Sequence, residues 1–310
     1  MSKIAFLFPG QGSQFAGMGA TLAAAYPEAA RVFEEADDAL GFKISQLCFE
    51  GPEDQLKLTE NTQPALVTVS IAALAVLAAK GIRPDYVAGH SLGEYSALVA
   101  AGCITLTDAV RVVRKRGQYM QEAVPAGVGA MAALLKLPAD KLESILAEAA
   151  QGEVVTAANL NSPDQVVIAG NAGAVGRAME LAKAAGAKRA ISLPVSAPFH
   201  CPLMKPAQER LKADLDAMEF RDLRVPLINN FQAREVRTGA EAREGLYQQV
   251  PNAVRWCDSV LLLAKLGVTR TVEVGAGGVL TGMLRSIEGS LEGTRFGEAD
   301  DWGKMSAAHG

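Results

Sequence analysis

Gly89-His90-Ser91-Leu92-Gly93 sets a serine in a Gly-x-Ser-x-Gly frame, with the apolar run Tyr86-Val87-Ala88 before it and the alanine-rich stretch from Glu94 after it. Glycines on both sides permit a sharp strand-to-helix turn, which exposes the serine oxygen at a helix N-terminus where developing negative charge is favoured. The plain alternative is a serine N-cap in a tight turn. The strand-turn-helix context favours a nucleophile.

A nucleophilic serine needs a base, and the chain has three histidines, His90, His200 and His309. His309 sits in the terminal stretch, and His90 is the immediate neighbour of Ser91, where adjacent side chains point apart. His200 remains, held in Ser-Ala-Pro-Phe-His-Cys-Pro between Pro198 and Pro202, which stiffen its loop. The loop Pro9-Gly10-Gln11-Gly12-Ser13-Gln14 follows the first apolar run, but Phe15 stands where a dinucleotide fingerprint needs its third glycine, and no phosphate-loop Gly-Lys follows. A fitting role is to bring a backbone amide beside that of Leu92 as an oxyanion hole. Arg111, Arg114, Lys115 and Arg116 share one helical stretch, and composition alone singles out none of them.

These residues need a scaffold that repeats strand and helix. Ile4 to Gly10 reads as a strand, an alanine-rich helix starts near Gly17, Ala65 to Ala79 reads as a buried helix, and Tyr86 to Ala88 leads into the serine turn, favouring a mostly parallel sheet covered by helices. Between residues 126 and 195 the order becomes β-α-β-β-α-β, with an Asn-Ser-Pro-Asp turn at 161–164. That order predicts a small inserted ferredoxin-like domain. Arg224 to Asn230 and Thr269 to Gly275 return the chain to the large sheet. The expected organisation is therefore an α/β large domain from 1–125 and 196–287, the insert at 126–195, and a polar, poorly ordered tail at 288–310.

The chain is long enough for a sizeable core without staples, and its four cysteines are scattered, with no metal or redox spacing. No metal site and no cofactor are expected. A net charge of -4 argues against a protein devoted to nucleic acid. The start of the chain lacks a long apolar leader, and the stretch at Ala65 is interrupted by Thr68 and Ser70, so a cytoplasmic protein without a membrane partner is expected.

Phe-Pro-Gly-Gln-Gly-Ser-Gln, the segment Gly89 to Gly102, the arginine helix Arg111 to Met120, Asn161 to Gly170, Phe199 to Met204 and Glu273 to Arg285 together resemble the malonyl-CoA:acyl carrier protein transacylase family, in its order and spacing, from Ile4 to about Arg285. The resemblance implies a hydrolase-like large domain and a ferredoxin-like insert. It implies Ser91 as nucleophile, His200 as base, and Gln11 with the Leu92 amide as oxyanion donors. It also implies Arg116 as the partner of the malonyl carboxylate, and a backbone carbonyl near Gln249 orienting the histidine in place of a triad carboxylate, with Gln248 the adjacent alternative. Phe199, just before the histidine, implies selection of malonyl over branched groups. The implied partners are malonyl-CoA and an acyl carrier protein, in fatty-acid or polyketide synthesis, with a monomeric enzyme; the rivals are a serine hydrolase and a non-catalytic scaffold.

Overall fold

The computed structural model describes residues 2–195 and 197–307, so His309 lies outside the described residues. Among the described residues ten strands form two sheets: β1 (Lys3–Phe8), β2 (Tyr86–Gly89), β7 (Leu227–Ile228), β8 (Glu235–Val236), β9 (Val268–Val274) and β10 (Glu292–Phe296) in one, and β3 (Gly129–Leu135), β4 (Val155–Ser162), β5 (Gln165–Asn171) and β6 (Arg189–Ser192) in the other. The first sheet has the order β10-β9-β1-β2-β7-β8 and is parallel except at the β7–β8 edge. Its central strand β1, Lys-Ile-Ala-Phe-Leu-Phe, is apolar nearly throughout because both faces are covered. Phe6 and Phe8 join the core beneath the helix Thr59–Ala79, while Ala5 and Leu7 face the cluster of Trp256 and Val260. That helix is apolar all round and long enough to cross a membrane, yet most of it is buried inside the large domain.

The second sheet is antiparallel in the order β4-β5-β3-β6, the ferredoxin-like arrangement expected from β-α-β-β-α-β, and its elements lie within 126–195. One face, with Ala132, Leu134 and Ile168, packs on the helices Leu142–Ala150 and Ala172–Ala184. The other, with Met131, Ala133 and Val167, turns toward the large domain and merges with its core. A backbone clasp joins the two: Leu160 N–H donates to Val254 O, and Val254 N–H to Ala158 O, each at 2.9 Å.

Of the stretch 288–310 expected as a poorly ordered polar tail, the described residues, to 307, carry regular structure. Residues Glu292–Phe296 form β10, paired in parallel with β9, and Asp301–Ala307 form a helix. The Asp301 carboxylate accepts from the amides of Gly297 and Glu298 at 3.1 Å, tying that helix to the strand. Phe296 is fully buried and meets the Trp302 ring edge-on. The strand was hard to see because it is an edge, exposed at most positions, with a single large buried side chain.

Candidate active site

Strand β2 ends at Gly89, and the helix Gly93–Ala100 begins four residues later, so the turn between them is forced tight. A methyl group at Gly89 would lie 2.0 Å from the Gly93 carbonyl, and one at Gly93 would lie 2.0 Å from Phe8 O, which explains both glycines by close approach. Ser91 adopts φ 51°, a left-handed conformation costly for a non-glycine residue. Its amide donates to Asn230 Oδ1 at 2.6 Å, and Asn230 Nδ2 donates to Gly89 O at 2.6 Å, so one asparagine at the end of β7 clamps both sides of the strained turn.

Ser91 Oγ lies 2.6 Å from His200 Nε2. His200, itself at φ 58°, is buried, and its Nδ1 is 3.0 Å from Gln249 O. Since a carbonyl only accepts, Nδ1 carries the hydrogen and Nε2 keeps its lone pair toward the serine. Burial, then the nearby Arg116 charge, lowers the His200 pKa to about 3, which keeps the ring neutral. Of the two glutamines left open by the sequence, Gln249 is the one at the site. Gln248 turns away and donates to Glu244.

The helix Leu106–Glu122 resolves the cluster of basic residues. Arg111 donates to Ala39 O, Arg114 to Asn61 while stacking on Phe42, and Lys115 pairs with Asp214. Arg116 alone of the four turns inward, 1 % exposed, on the stripe of Val112, Val113 and Met120. That stripe, at i−4, i−3 and i+4 from Arg116, is the sequence signal that would have separated it from its neighbours. Nη1 donates to Gln63 Oε1 at 2.9 Å, and Nη2 to Gln249 Oε1 at 2.9 Å and Ser91 Oγ at 3.2 Å. Tyr95 offers its ring face at 5.6 Å, and among the described residues no carboxylate forms an ion pair with this guanidinium. A buried cation whose hydrogen bonds go to neutral acceptors is prepared for an anion.

The amides of His90, Ser91, Gly93, Glu94 and Tyr95 all have acceptors, which leaves the Leu92 amide as the unengaged donor of the turn among the described residues. Gln11 lines the same cleft, its side-chain amide donating to Thr59 Oγ1 at 3.4 Å, and the preceding Gly10 presses on the His90 carbonyl, where a methyl would meet it at 2.4 Å. The cleft, about 240 Å³, runs between the elements of the two sheets and is lined by Ser91, His200, Arg116, Phe199, Met131 and Val167 among others. The His90 ring engages Asn161 Oδ1 at 2.8 Å, linking the elbow to β4. Cys201, next to the base, is a poor rival nucleophile, since burial pushes its thiol up to about 11. Among the described residues no cluster of three or more His, Cys, Asp or Glu side chains is placed to hold a metal.

Residues 5–290 match the family model described as acyl transferase domain. A malonyl CoA-acyl carrier protein transacylase of Bacillus subtilis (strain 168) is 52 % identical over 293 residues, covering 94 % of this chain and 92 % of its own. The chain belongs to the malonyl-CoA:acyl carrier protein transacylase family. An acyl carrier protein S-malonyltransferase of Vibrio cholerae superposes with TM-score 0.96 at 45 % identity, over 98 % of this chain and all of that one. A malonyl-transacylase in complex with a type II PKS acyl-carrier protein matches with TM-score 0.94 at 44 % identity, over 97 % of both chains. The mixed architecture with one largely parallel and one antiparallel sheet is that of these solved relatives.

Sequence reasoning missed Gln63, Glu94, Asn161 and Asn230. Asn230 had a usable signal, since it follows a short apolar run at the carboxyl end of a predicted strand, where sites of open α/β sheets gather. Glu94 lay inside the elbow motif, but an acid in a first helical turn reads as a response to the helix dipole.

Proposed function

We propose that this chain transfers a malonyl group from malonyl-CoA to the phosphopantetheine thiol of an acyl carrier protein through a malonyl-Ser91 ester, supplying fatty-acid or polyketide extension. The observation that carries this reading is the buried Arg116 guanidinium, without an ion pair to a carboxylate among the described residues and 3.2 Å from Ser91 Oγ. An acyl group bearing its own carboxylate two carbons from the thioester fits that spacing, and the planar fork can take both oxygens.

In the first half-reaction Ser91 Oγ attacks the thioester carbon as its proton passes to His200 Nε2, and the oxyanion is held by the Leu92 amide and Gln11. Losing one such donor typically costs about 10²–10³ in kcat. The carbon–sulfur bond then breaks, and the coenzyme A thiolate takes the proton from His200. In the second half His200 removes the proton of the carrier thiol, the thiolate attacks the ester, and Ser91 recovers its proton as the carbon–oxygen bond breaks. The Gln249 carbonyl stabilises the imidazolium formed at each attack in place of a triad carboxylate. A groove adjoining the cleft, sharing Gln165 and Met283 with it, carries Lys136, Lys188 and Arg189 and suits the phosphates of coenzyme A or of the carrier arm.

Phe199, buried at the cleft wall, supports selection of malonyl over methylmalonyl by filling the space of a branch. Comparable kcat/KM for the two donors would sink that assignment. A cytoplasmic monomer acting without nucleic acid, membrane, metal or cofactor completes the proposal, supported by the acidic net charge of -4. Initial rates with both substrates varied test the whole: parallel double-reciprocal lines are expected, and lines that converge would mean a ternary complex without the serine ester.

A further inference from the structure

Gln249 is the shared support of the base and the arginine, and something must decide which way its amide points. Its Nε2 faces three acceptors, Glu94 Oε2 at 2.7 Å, Ser91 O at 3.0 Å and Asn230 Oδ1 at 3.4 Å. Its Oε1 faces a donor, Arg116 Nη2. Turned over, the amide would set NH₂ against the guanidinium and oxygen against oxygen on the other side, so the orientation is single-valued. The nearest and most basic of the three acceptors is Glu94.

Glu94 is 1 % exposed, forms no ion pair among the described residues, and is not part of the cleft wall. Its Oε2 also accepts from the Asn230 amide at 3.1 Å, while Oε1 has no partner among the described residues. A carboxylate buried at such cost, with one oxygen spent on two donors that lead to Ser91, His200 and Arg116, is not explained by packing. We propose that Glu94 is a positioning residue for acid selection: by fixing the Gln249 amide it aims Arg116 Nη2 at the acyl carboxylate. Asn230, held by the same oxygen, ties this alignment to the Ser91 amide. Burial raises the Glu94 pKa to about 7, with bonds from Gln249 and Asn230 and the Arg116 charge opposing the rise. An acceptor oxygen faces Gln249 in either protonation state.

The proposal rests on Arg116 recognising the malonyl carboxylate, so the test carries its own reference. Transfer of malonyl and of acetyl from coenzyme A to the holo carrier protein is measured for wild type, Arg116→Ala, Glu94→Asp and Glu94→Gln. Glu94→Asp keeps the charge but draws the acceptor back by one methylene, and the malonyl-to-acetyl ratio of kcat/KM should fall about tenfold or more. Glu94→Gln loses the charge but keeps an oxygen where Asn230 and Gln249 donate, and should hold the ratio within about threefold of wild type. Parallel loss of both donors in Glu94→Asp would make Glu94 merely structural, and loss of the ratio in Glu94→Gln with its retention in Glu94→Asp would make charge, not placement, the cause. Either overturns the proposal, as does an unchanged ratio in both. An unchanged ratio in Arg116→Ala would instead remove the carboxylate clamp itself.

Discussion

At the scale of single residues, the site is built so that charge waits for the substrate. His200 is neutral because burial and Arg116 both oppose a proton on it, and its pKa of about 3 lies far below the ordinary histidine value of 6.5. The consequence for rate is that the base stays competent as the medium is acidified. The acid limb of serine acylation, followed by rapid mixing with malonyl-CoA, should therefore lie below about pH 6, and a limb at or above the ordinary histidine value would contradict the geometry. The consequence for stability has the opposite flavour. Below pH 6.5 the unfolded chain protonates this ring and the folded chain does not until near pH 3, so His200 costs stability progressively across that window as pH falls. Ser91 and His200 were legible in the sequence, one by its glycine frame and the other by elimination among three histidines. Asn230 and Glu94 were not, because a buried polar side chain is recognised by its partners, and those lie 139 and 155 residues away along the chain.

At the scale of elements, the elbow between β2 and the helix Gly93–Ala100 holds the nucleophile in a conformation it would not choose. Gly93 packs directly on Phe8 O, so Gly93→Ala must push the helix off β1 or open the turn. A loss of about 2–4 kcal/mol in urea unfolding is expected, with acylation reduced further than stability explains. Wild-type stability and acylation in this variant would show that the turn tolerates more room than the contact at 2.0 Å allows. The helix Leu106–Glu122 teaches a complementary lesson. Four basic residues close together look equivalent in composition, yet a rotation of about 100° per residue sends only Arg116 to the apolar side. The antiparallel sheet was legible because a β-α-β-β-α-β order admits few arrangements, and the order β4-β5-β3-β6 is one of them.

At the scale of the molecule, the parallel and antiparallel sheets meet along a cleft, and the chain's last described segment extends the larger sheet rather than trailing from it. Phe296 anchors β10 against that sheet and Trp302, so Phe296→Ala should cost about 3–5 kcal/mol in chemical denaturation while leaving the serine acylated at full stoichiometry in the folded fraction. A negligible cost would mean that residues 288–307 do not belong to the cooperative fold. Their polarity concealed them because an edge strand needs only one buried anchor, whereas β1, covered on both faces, announces itself. The clasp between Val254 and β4, with the His90–Asn161 bond, fixes the antiparallel sheet to the parallel one across the cleft in which both half-reactions are proposed to occur. Intact-mass spectrometry of wild type and Ser91→Ala, mixed briefly with malonyl-CoA and then with phosphopantetheinylated carrier protein, tests that proposal most directly. The account predicts a malonyl adduct on wild type alone that passes to the carrier. An adduct lost only to water would mean a hydrolase, and equal labelling of Ser91→Ala, or no adduct on either, would contradict a serine-borne transfer altogether.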